Sequence, residues 1–228
     1  MTALPDRATV RKMHRRLAGR FGPLHPPTRR DPLDELIVTV LSQNTSDVNR
    51  DRAYARLRET FPTWEALARA RPAQVAKAIK PGGLANTKAP RILAILREIR
   101  TREGDLDLGW MRRASDEEVS DYLISLPGVG PKTVACVLAF ALERPAIPVD
   151  THVHRVAGRL GFYPARTSAE AAHRILEEAV PPAIRVQMHV GLIGLGRELC
   201  KPGTPKCELC PLNDLCPSAA RYVSDPLR

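Results

Sequence analysis

The eight residues 126–133 constrain the fold more than any other stretch of this sequence. They read Leu-Pro-Gly-Val-Gly-Pro-Lys-Thr, so half of them are glycine or proline. Gly128 and Gly130 permit backbone angles that are closed to other residues. Pro131 suits the first turn of a new helix, where its missing N–H costs nothing. The stretch therefore predicts a tight hairpin between two helices.

Helices are expected on both sides of this hairpin. Before it, Ser115 and Glu118 have the spacing of a capping box, which marks a helix start. Apolar residues then recur at helical spacing, at Val119, Tyr122, Leu123 and Leu126. After the hairpin an apolar run follows. Free N–H groups of a hairpin and a helix N-terminus form an anion site that suits a DNA phosphate, which makes Gly128, Val129 and Gly130 candidate DNA contacts.

Lys132 and Asp150 are the candidate reactive residues. Lys132 falls in the first turn of the helix after the hairpin, and an unprotonated lysine amine is a nucleophile. Asp150 follows 150 − 132 = 18 residues later, at the predicted start of another helix. Each residue alone has a simpler interpretation: Lys132 as a solvated phosphate contact, and Asp150 as an ordinary N-cap.

Composition favours a basic helical protein with a polyanionic partner. The net charge is +10 and the pI is about 9.8. Hydrophobic residues make up 43% but aromatic residues only 4%, so the core must be aliphatic. No strand pattern of period two persists, which predicts an all-α chain. No apolar run approaches the roughly 18 residues of a membrane span, and no signal peptide is visible, so we expect a soluble, cytoplasmic protein without a membrane partner.

Further helices are predicted from caps and apolar spacing. The basic N-terminal segment carries an apolar stripe at Val10, Met13, Leu17 and Phe21. A helix opens at Asp31, another is capped by Asn86 or Thr87, and residues 167–170 form a second capping box. Other helices are expected over 46–61, 63–70, 73–79 and 182–199, and a loop over 101–111.

Four of the five cysteines form a cluster near the end of the sequence, with spacing Cys-x6-Cys-x2-Cys-x5-Cys. They are Cys200, Cys207, Cys210 and Cys216. Four thiolates within 17 residues can converge on one metal centre. The spacing alone does not exclude zinc, which four cysteines commonly bind. A disulfide framework is the least favoured interpretation of the four cysteines. The fifth, Cys136, is expected to be a small buried residue.

Together these motifs strongly resemble the endonuclease III branch of the helix-hairpin-helix DNA glycosylases. The resemblance rests on the hairpin with Lys132, on Val-Asp-Thr-His at 149–152, and on the cysteine spacing. It implies that Lys132 is the glycosylase/lyase nucleophile and Asp150 its essential carboxylate. It also implies a [4Fe–4S] cluster in place of zinc, holding a loop that presents Lys201 and Lys206 to DNA. His152 is kept as a candidate site-shaping residue without an assigned mechanism.

Two further segments gain a DNA-binding interpretation from the resemblance. The polar turn 42–47 departs from the commoner Ser-Ala-Gln-Ala-Thr-Asp pattern of the family. Asn44 falls where these enzymes commonly carry the glutamine that fills the gap left by an extruded base, and its neighbour Gln43 is a second candidate for the same task. Leu84 lies in a segment similar to Gly-Leu-x-Asn-x-Lys-Ala, which implies an apolar wedge; the alternative is a leucine buried in the core.

The implied fold has two helical domains with a DNA-binding cleft between them. A six-helix barrel with the helix-hairpin-helix is expected over 34–144. An iron–sulfur cluster domain is expected from 1–33 and 145–228.

The implied activity is base excision repair by a monomeric, nucleoid-associated DNA glycosylase/AP lyase. The substrate is double-stranded DNA with damaged bases or abasic sites. Oxidised pyrimidines would be removed and the strand cut by β-elimination through a lysine Schiff base. One alternative is a mismatch glycosylase acting on uracil or thymine opposite guanine. A second is a non-catalytic iron–sulfur DNA-binding protein. An adenine-mispair glycosylase fits less well, because those enzymes generally lack the lysine.

Overall fold

The computed structural model describes residues 4–24 and 30–222, and all regular structure in that part of the chain is helical. This confirms the all-α prediction. No helix there is long and apolar enough to cross a membrane. Internal contacts divide the chain into two compact units, Met1–Thr28 with Glu143–Arg228 and Arg29–Leu142. The predicted domain boundaries lie near these limits, and the domain assignment itself stays a prediction.

The unit Arg29–Leu142, called the hairpin unit below, contains seven α-helices among its described residues. They are α2 (Pro32–Leu41), α3 (Asp47–Thr60), α4 (Trp64–Ala68), α5 (Pro72–Ala78), α6 (Ala85–Glu103), α7 (Asp116–Ile124) and α8 (Pro131–Cys136). A π-helical turn, Val137–Ala141, continues α8. We take α2 as the centre of this unit, because every one of its residues except Asp34 is buried.

Side-chain caps start several of these helices where the sequence predicts them. The Ser115 Oγ accepts the Glu118 N–H at 3.2 Å, and a Glu118 carboxylate oxygen accepts the Ser115 N–H at 2.7 Å. The capping box before the hairpin is thus confirmed. The side chains of Ser46 and Thr63 are the N-caps of α3 and α4, which are two and three residues shorter than predicted.

Three boundary predictions are wrong. The cap of α6 is neither Asn86 nor Thr87: the helix begins one residue earlier than Asn86, after Leu84 in a left-handed conformation. The loop predicted over 101–111 is shorter, because α6 continues to Glu103 and a 3₁₀ turn begins at Gly109. The second capping box does not form: Ser168 is the N-cap in place of Thr167, and its Oγ accepts the N–H of Ala171, whose side chain cannot return the bond.

The other unit, called the cysteine unit below, joins the N-terminal helix to the end of the chain. Its α-helices are α1 (Arg7–Phe21), α9 (Thr151–Arg159), α10 (Ala169–Ala179) and α11 (Arg185–Glu198). The predicted stripe of α1 is confirmed for Val10, Met13 and Leu17, which are fully buried in one core with residues of α9, α10 and α11. Arg16 of α1 also forms an ion pair with Asp214 near the cysteines.

Two glycines test the packing of α1 on α11. A Cβ on Gly191 would lie 3.0 Å from both the Cβ and a Cδ of Leu17, whereas a Cβ on Gly19 meets nothing within 4 Å. We expect Gly191→Ala to lower the free energy of unfolding by about 1 to 3 kcal/mol through overpacking. Gly19→Ala should instead raise it by up to about 1 kcal/mol through helix propensity. Urea unfolding followed by circular dichroism measures both; equal effects of the two variants would contradict the close α1–α11 contact.

Candidate functional site

The hairpin forms as predicted between α7 and α8. Gly128 has a φ of +71°, and the Val129 N–H donates to the Leu126 carbonyl at 3.2 Å. A Cβ on Gly128 would lie 2.5 Å from the Nε of Arg91, so the guanidinium of α6 fits against bare backbone. Gly130 is the N-cap of α8 and a proline fills the next position. The hairpin therefore delivers Lys132 to the first turn of α8.

Lys132 contacts the end of α2. Its Nζ donates to the Ser42 Oγ at 3.3 Å, and the Ser42 hydroxyl donates in turn to the Thr39 carbonyl at 2.7 Å. The lysine is half-buried. The candidate nucleophile is thus held next to the polar turn 42–47, a neighbourhood that the sequence order alone does not reveal.

A polar stripe on α2 faces this lysine. It consists of Glu35, Thr39 and Ser42, spaced at helical intervals on an otherwise apolar helix. The Thr39 hydroxyl donates to Glu35 Oε1 at 3.1 Å, and Arg30 Nη1 donates to Glu35 Oε2 at 3.3 Å. Burial raises the pKa of Glu35, while the positive charges of Arg30 and Lys132 act in the opposite direction. Sequence reasoning missed this stripe, although an acid and a threonine inside an apolar run were a visible signal.

Cys136 lies one turn after Lys132 and is buried, as predicted. Burial raises the pKa of its thiol, and its side chain interacts with those of Thr39 and Lys132. It therefore belongs to the same small cluster as the polar stripe.

The polar turn distinguishes its two candidate amides. Gln43 Oε1 accepts a hydrogen bond from Arg91 Nη1 at 2.7 Å, so this side chain is tied to α6. Asn44 is exposed and has a left-handed φ of +52°. Asparagine tolerates this conformation better than most residues. The two neighbours are therefore not equivalent.

Leu84 is 54% exposed, which rules out the alternative that it is a core anchor. It too is left-handed, at a φ of +49°. The turn before it is fixed by Lys88, which is only 2% exposed. The Lys88 Nζ donates to the carbonyls of Leu41 and Gly82 at 2.7 and 2.8 Å. This buried lysine, unassigned by sequence reasoning, joins the end of α2 to the turn that carries Leu84.

Asp150 belongs to the cysteine unit and is the N-cap of α9. Its Oδ1 accepts the Val153 N–H at 2.7 Å, so the simpler interpretation of this residue is structurally correct. Two buried histidines hold the backbone just before it. His189 Nδ1 lies 2.7 Å from the Pro148 carbonyl, and the Val149 N–H donates to His173 Nε2 at 3.3 Å.

His152 packs within the cysteine unit. Arg155 Nη2 lies 3.2 Å from its Nδ1, and a Cβ on Gly196 of α11 would lie 3.0 Å from the Cβ of His152. These contacts give the residue a local structural role, and its site-shaping role stays a prediction.

The four cysteines of the cluster line one recess of the cysteine unit, walled by aliphatic residues of α9 and α11. None of the four forms a disulfide bond. Burial, together with the charges of neighbouring cysteines, raises the pKa of Cys210 to about 11. Thiols in this setting require a cationic centre to be held as thiolates.

Two arginines of α9 brace the first cysteine. Arg159 Nη1 donates to the Cys200 Sγ at 3.2 Å and to the Lys201 carbonyl at 2.7 Å. Arg159 Nη2 donates to the Pro202 carbonyl at 2.7 Å, and Arg155 Nε to the Cys200 carbonyl at 3.0 Å. The loop that follows is thereby fixed at its base.

Lys201 and Lys206 lie at the two ends of the loop between the first two cysteines, and both are exposed. The Lys206 N–H donates to the Leu199 carbonyl at 2.9 Å, which closes the loop. Two positive charges therefore project from a fixed loop.

Comparison with known proteins agrees with this geometry. The model of the HhH-GPD superfamily base excision DNA repair protein matches residues 37–182, and that of the iron–sulfur binding domain of endonuclease III matches residues 200–216. Endonuclease III of Thermotoga maritima is 36% identical over 207 residues, which cover 91% of this chain and 92% of the relative.

Two solved structures have a similar fold. One is a trapped endonuclease III–DNA covalent intermediate, with a TM-score of 0.83, 28% identity, and coverage of 97% of this chain and 100% of that one. The other is a non-covalent endonuclease III–DNA complex, with a TM-score of 0.82, 29% identity, and coverage of 96% and 98%. The endonuclease III fold is thus confirmed, and the iron–sulfur match confirms a [4Fe–4S] cluster as the cofactor.

Arg159 offers a test of how the cysteine loop is braced. We expect Arg159→Gln to lose the cluster about three- to tenfold faster in the presence of a chelator and air, because its hydrogen bonds to the Cys200 turn are removed. Arg166→Gln, at an exposed position of the same unit, is the matched control. Decay of the visible absorbance measures the loss, and equal rates for both variants would contradict a bracing role.

Proposed function

Because the chain belongs to the HhH-GPD superfamily of base excision DNA repair proteins and is a DNA glycosylase/AP lyase of the endonuclease III type, we propose that it removes oxidised pyrimidines from duplex DNA and cuts the strand through a Schiff base on Lys132. The observation that carries this proposal is the position of Lys132. Its half-buried amine lies in the first turn after the hairpin and contacts Ser42 beside the polar turn.

DNA binding combines fixed dipoles with positive charge. The hairpin contacts a phosphate through the backbone N–H groups of Gly128 and Gly130 and through the N-terminus of α8. The Val129 N–H is used within the hairpin, where it donates to the Leu126 carbonyl. Lys201 and Lys206 contact the backbone from the braced loop. The net charge of +10 raises the rate of encounter and makes binding salt-dependent.

The damaged nucleotide leaves the stack, and two exposed side chains take its place. Asn44 fills the gap, because its exposed amide can hydrogen-bond with the orphaned partner base while Gln43 is held by Arg91. Leu84 enters the stack as an apolar wedge. Its exposure and the clamp by Lys88 support this role.

The chemistry then proceeds on the extruded sugar. The unprotonated amine of Lys132 forms a bond to C1′, and the base leaves with the electron pair of the glycosidic bond. Opening of the sugar ring, with its oxygen taking the electron pair and a proton, gives a protonated Schiff base. This cation acidifies C2′; loss of a C2′ proton expels the 3′ phosphate and breaks the strand. Asp150 assists by holding a proton or by stabilising positive charge at the sugar.

The iron–sulfur cluster supplies a rigid anchor for the cysteine loop when bound. The four cysteines would hold it, and Arg159 and Arg155 fix the turn at the first of them. Lys201 and Lys206 of that loop then contact the DNA backbone. The cleavage chemistry contains no redox step.

Replacement of the proposed nucleophile separates catalysis from binding. We expect Lys132→Gln to abolish both borohydride trapping and strand cleavage on a duplex with one thymine glycol, while the dissociation constant changes less than about threefold. Lys77→Gln, which removes an exposed charge from the same unit, controls for charge.

Turnover by Lys132→Gln would show that this lysine is not the nucleophile. Wild-type trapping on an abasic site but not on thymine glycol would leave the lyase step intact and contradict the oxidised-pyrimidine substrate. Trapping on neither would contradict the Schiff base mechanism.

The two amides of the polar turn should behave differently. Asn44→Gly keeps the left-handed backbone accessible and removes the amide. We expect about a tenfold loss of cleavage on a duplex substrate, roughly 1.4 kcal/mol, and no loss on a single-stranded abasic oligonucleotide, which has no gap to fill. Gln43→Ala should have the smaller effect in duplex; the reverse order would assign gap filling to Gln43.

A further inference from the structure

Glu35 is a buried carboxyl group that the proposed chemistry does not use. It lies on α2, the most completely buried helix of the hairpin unit, and is itself 4% exposed. A carboxylate in such a place is costly unless it is paired. Leucine or isoleucine would suit the surrounding apolar helix better, so a function other than packing is worth examining.

Within the described residues, each carboxylate oxygen of Glu35 accepts one hydrogen bond, and neither oxygen has its full number of donors. Thr39 donates to one carboxylate oxygen and Arg30 to the other. Arg30 is a partly exposed partner, with 26% of its side chain accessible against 5% for Glu35. Carboxylates accept more than two hydrogen bonds, so both oxygens retain capacity toward other cations.

The charge of Glu35 interacts with charged and titratable side chains of α3 and α8. Lys132 of α8 acts on the pKa of Glu35, lowering it against the effect of burial. Glu35 in turn raises the pKa of the Cys136 thiol, which also interacts with Lys132. Arg50 of α3 is stabilised in its charged form partly by Glu35. The charged and titratable groups around Glu35 are therefore Arg30, Arg50, Lys132 and Cys136.

The polar stripe connects this charge to the amine. Glu35, Thr39 and Ser42 follow one another along α2, and Ser42 accepts the hydrogen bond from Lys132. Lys132 and Cys136, one turn apart on α8, interact with this stripe through their own side chains. The buried carboxyl group of Glu35 and the amine of Lys132 are therefore joined through Thr39 and Ser42.

The nitrogen of Lys132 is cationic at two points of the proposed reaction: as the resting ammonium and as the protonated Schiff base. An anion in a poorly solvated position stabilises both forms more strongly than one in water. We infer that Glu35 is a positioning residue for Lys132. The buried negative charge of Glu35 orients the amine of Lys132 and stabilises the cationic Schiff base. This inference rests on the proposed function.

The pH profile of Schiff base formation tests the inference. Single-turnover borohydride trapping on an abasic duplex would be measured between about pH 5 and pH 9 for the wild type and for Glu35→Gln, whose side chain keeps the shape without the charge. Loss of the buried negative charge removes its stabilisation of a cationic nitrogen on Lys132. We expect the acidic limb of the profile to lie at lower pH than in the wild type, and the plateau rate to fall about three- to tenfold because the Schiff base is less stabilised.

Matched variants separate this role from a structural one. Glu59→Gln removes an exposed carboxylate of α3 and should leave the profile unchanged. Glu35→Asp retains the charge at a greater distance and should give a smaller shift in the same direction, which also covers the case in which Glu35→Gln does not fold. DNA dissociation constants should stay within about twofold in all variants, because Glu35 is buried and its hydrogen bonds are with Thr39 and Arg30.

The possible outcomes distinguish failure of the proposed Lys132 mechanism from failure of the inferred role of Glu35. A wild-type protein that traps no abasic DNA at any pH would overturn the proposed Lys132 mechanism. A wild type that traps, with a Glu35→Gln profile of unchanged position, would overturn only the inference. A uniform loss of rate at every pH together with a lower melting temperature would likewise assign Glu35 a purely structural role.

Discussion

The carboxyl end of one buried helix organises the hairpin unit. Helix α2 ends at Leu41, whose carbonyl accepts a hydrogen bond from the buried ammonium of Lys88. The hydroxyl of the next residue, Ser42, accepts a hydrogen bond from the Lys132 amine. The last carbonyls of a helix lack intrahelical partners and carry negative partial charge, so this end of α2 suits the ammonium of Lys88 on its carbonyl and Lys132 on the adjacent hydroxyl. The candidate nucleophile Lys132 contacts this helix end, and Lys88 connects it to the turn before the candidate wedge Leu84.

Binding and chemistry share this support. Lys88 holds the Gly82 carbonyl as well, which fixes the turn before Leu84 relative to the turn that carries Asn44. Arg91 passes beside the hairpin glycine and holds Gln43. Because the two lysines and Arg91 have different partners, substitution of one should leave the contacts of the others in place. The cysteine unit uses the same device, with arginine side chains on backbone carbonyls beside the first cysteine.

The sequence predicts the local features of the site well. The hairpin, the Ser115 capping box, the N-cap position of Asp150 and the cysteine spacing all depend on residues within a turn or two of one another. The features it does not predict are contacts between distant residues. Gln43 with Arg91, Lys88 with Leu41 and Lys132 with Ser42 are 48, 47 and 90 residues apart. The left-handed Leu84 also defeats local rules, because its conformation is imposed by the turn before it.

The central claim is that Lys132, and no other amine, forms the Schiff base. Its most direct test is peptide mapping by mass spectrometry of the wild-type protein after borohydride trapping on an abasic duplex. The account predicts a sugar adduct on the peptide that contains Lys132, with Lys88 and Lys77 unmodified. An adduct on any other lysine, or on the N-terminal amine, would contradict it, however similar the fold is to that of endonuclease III.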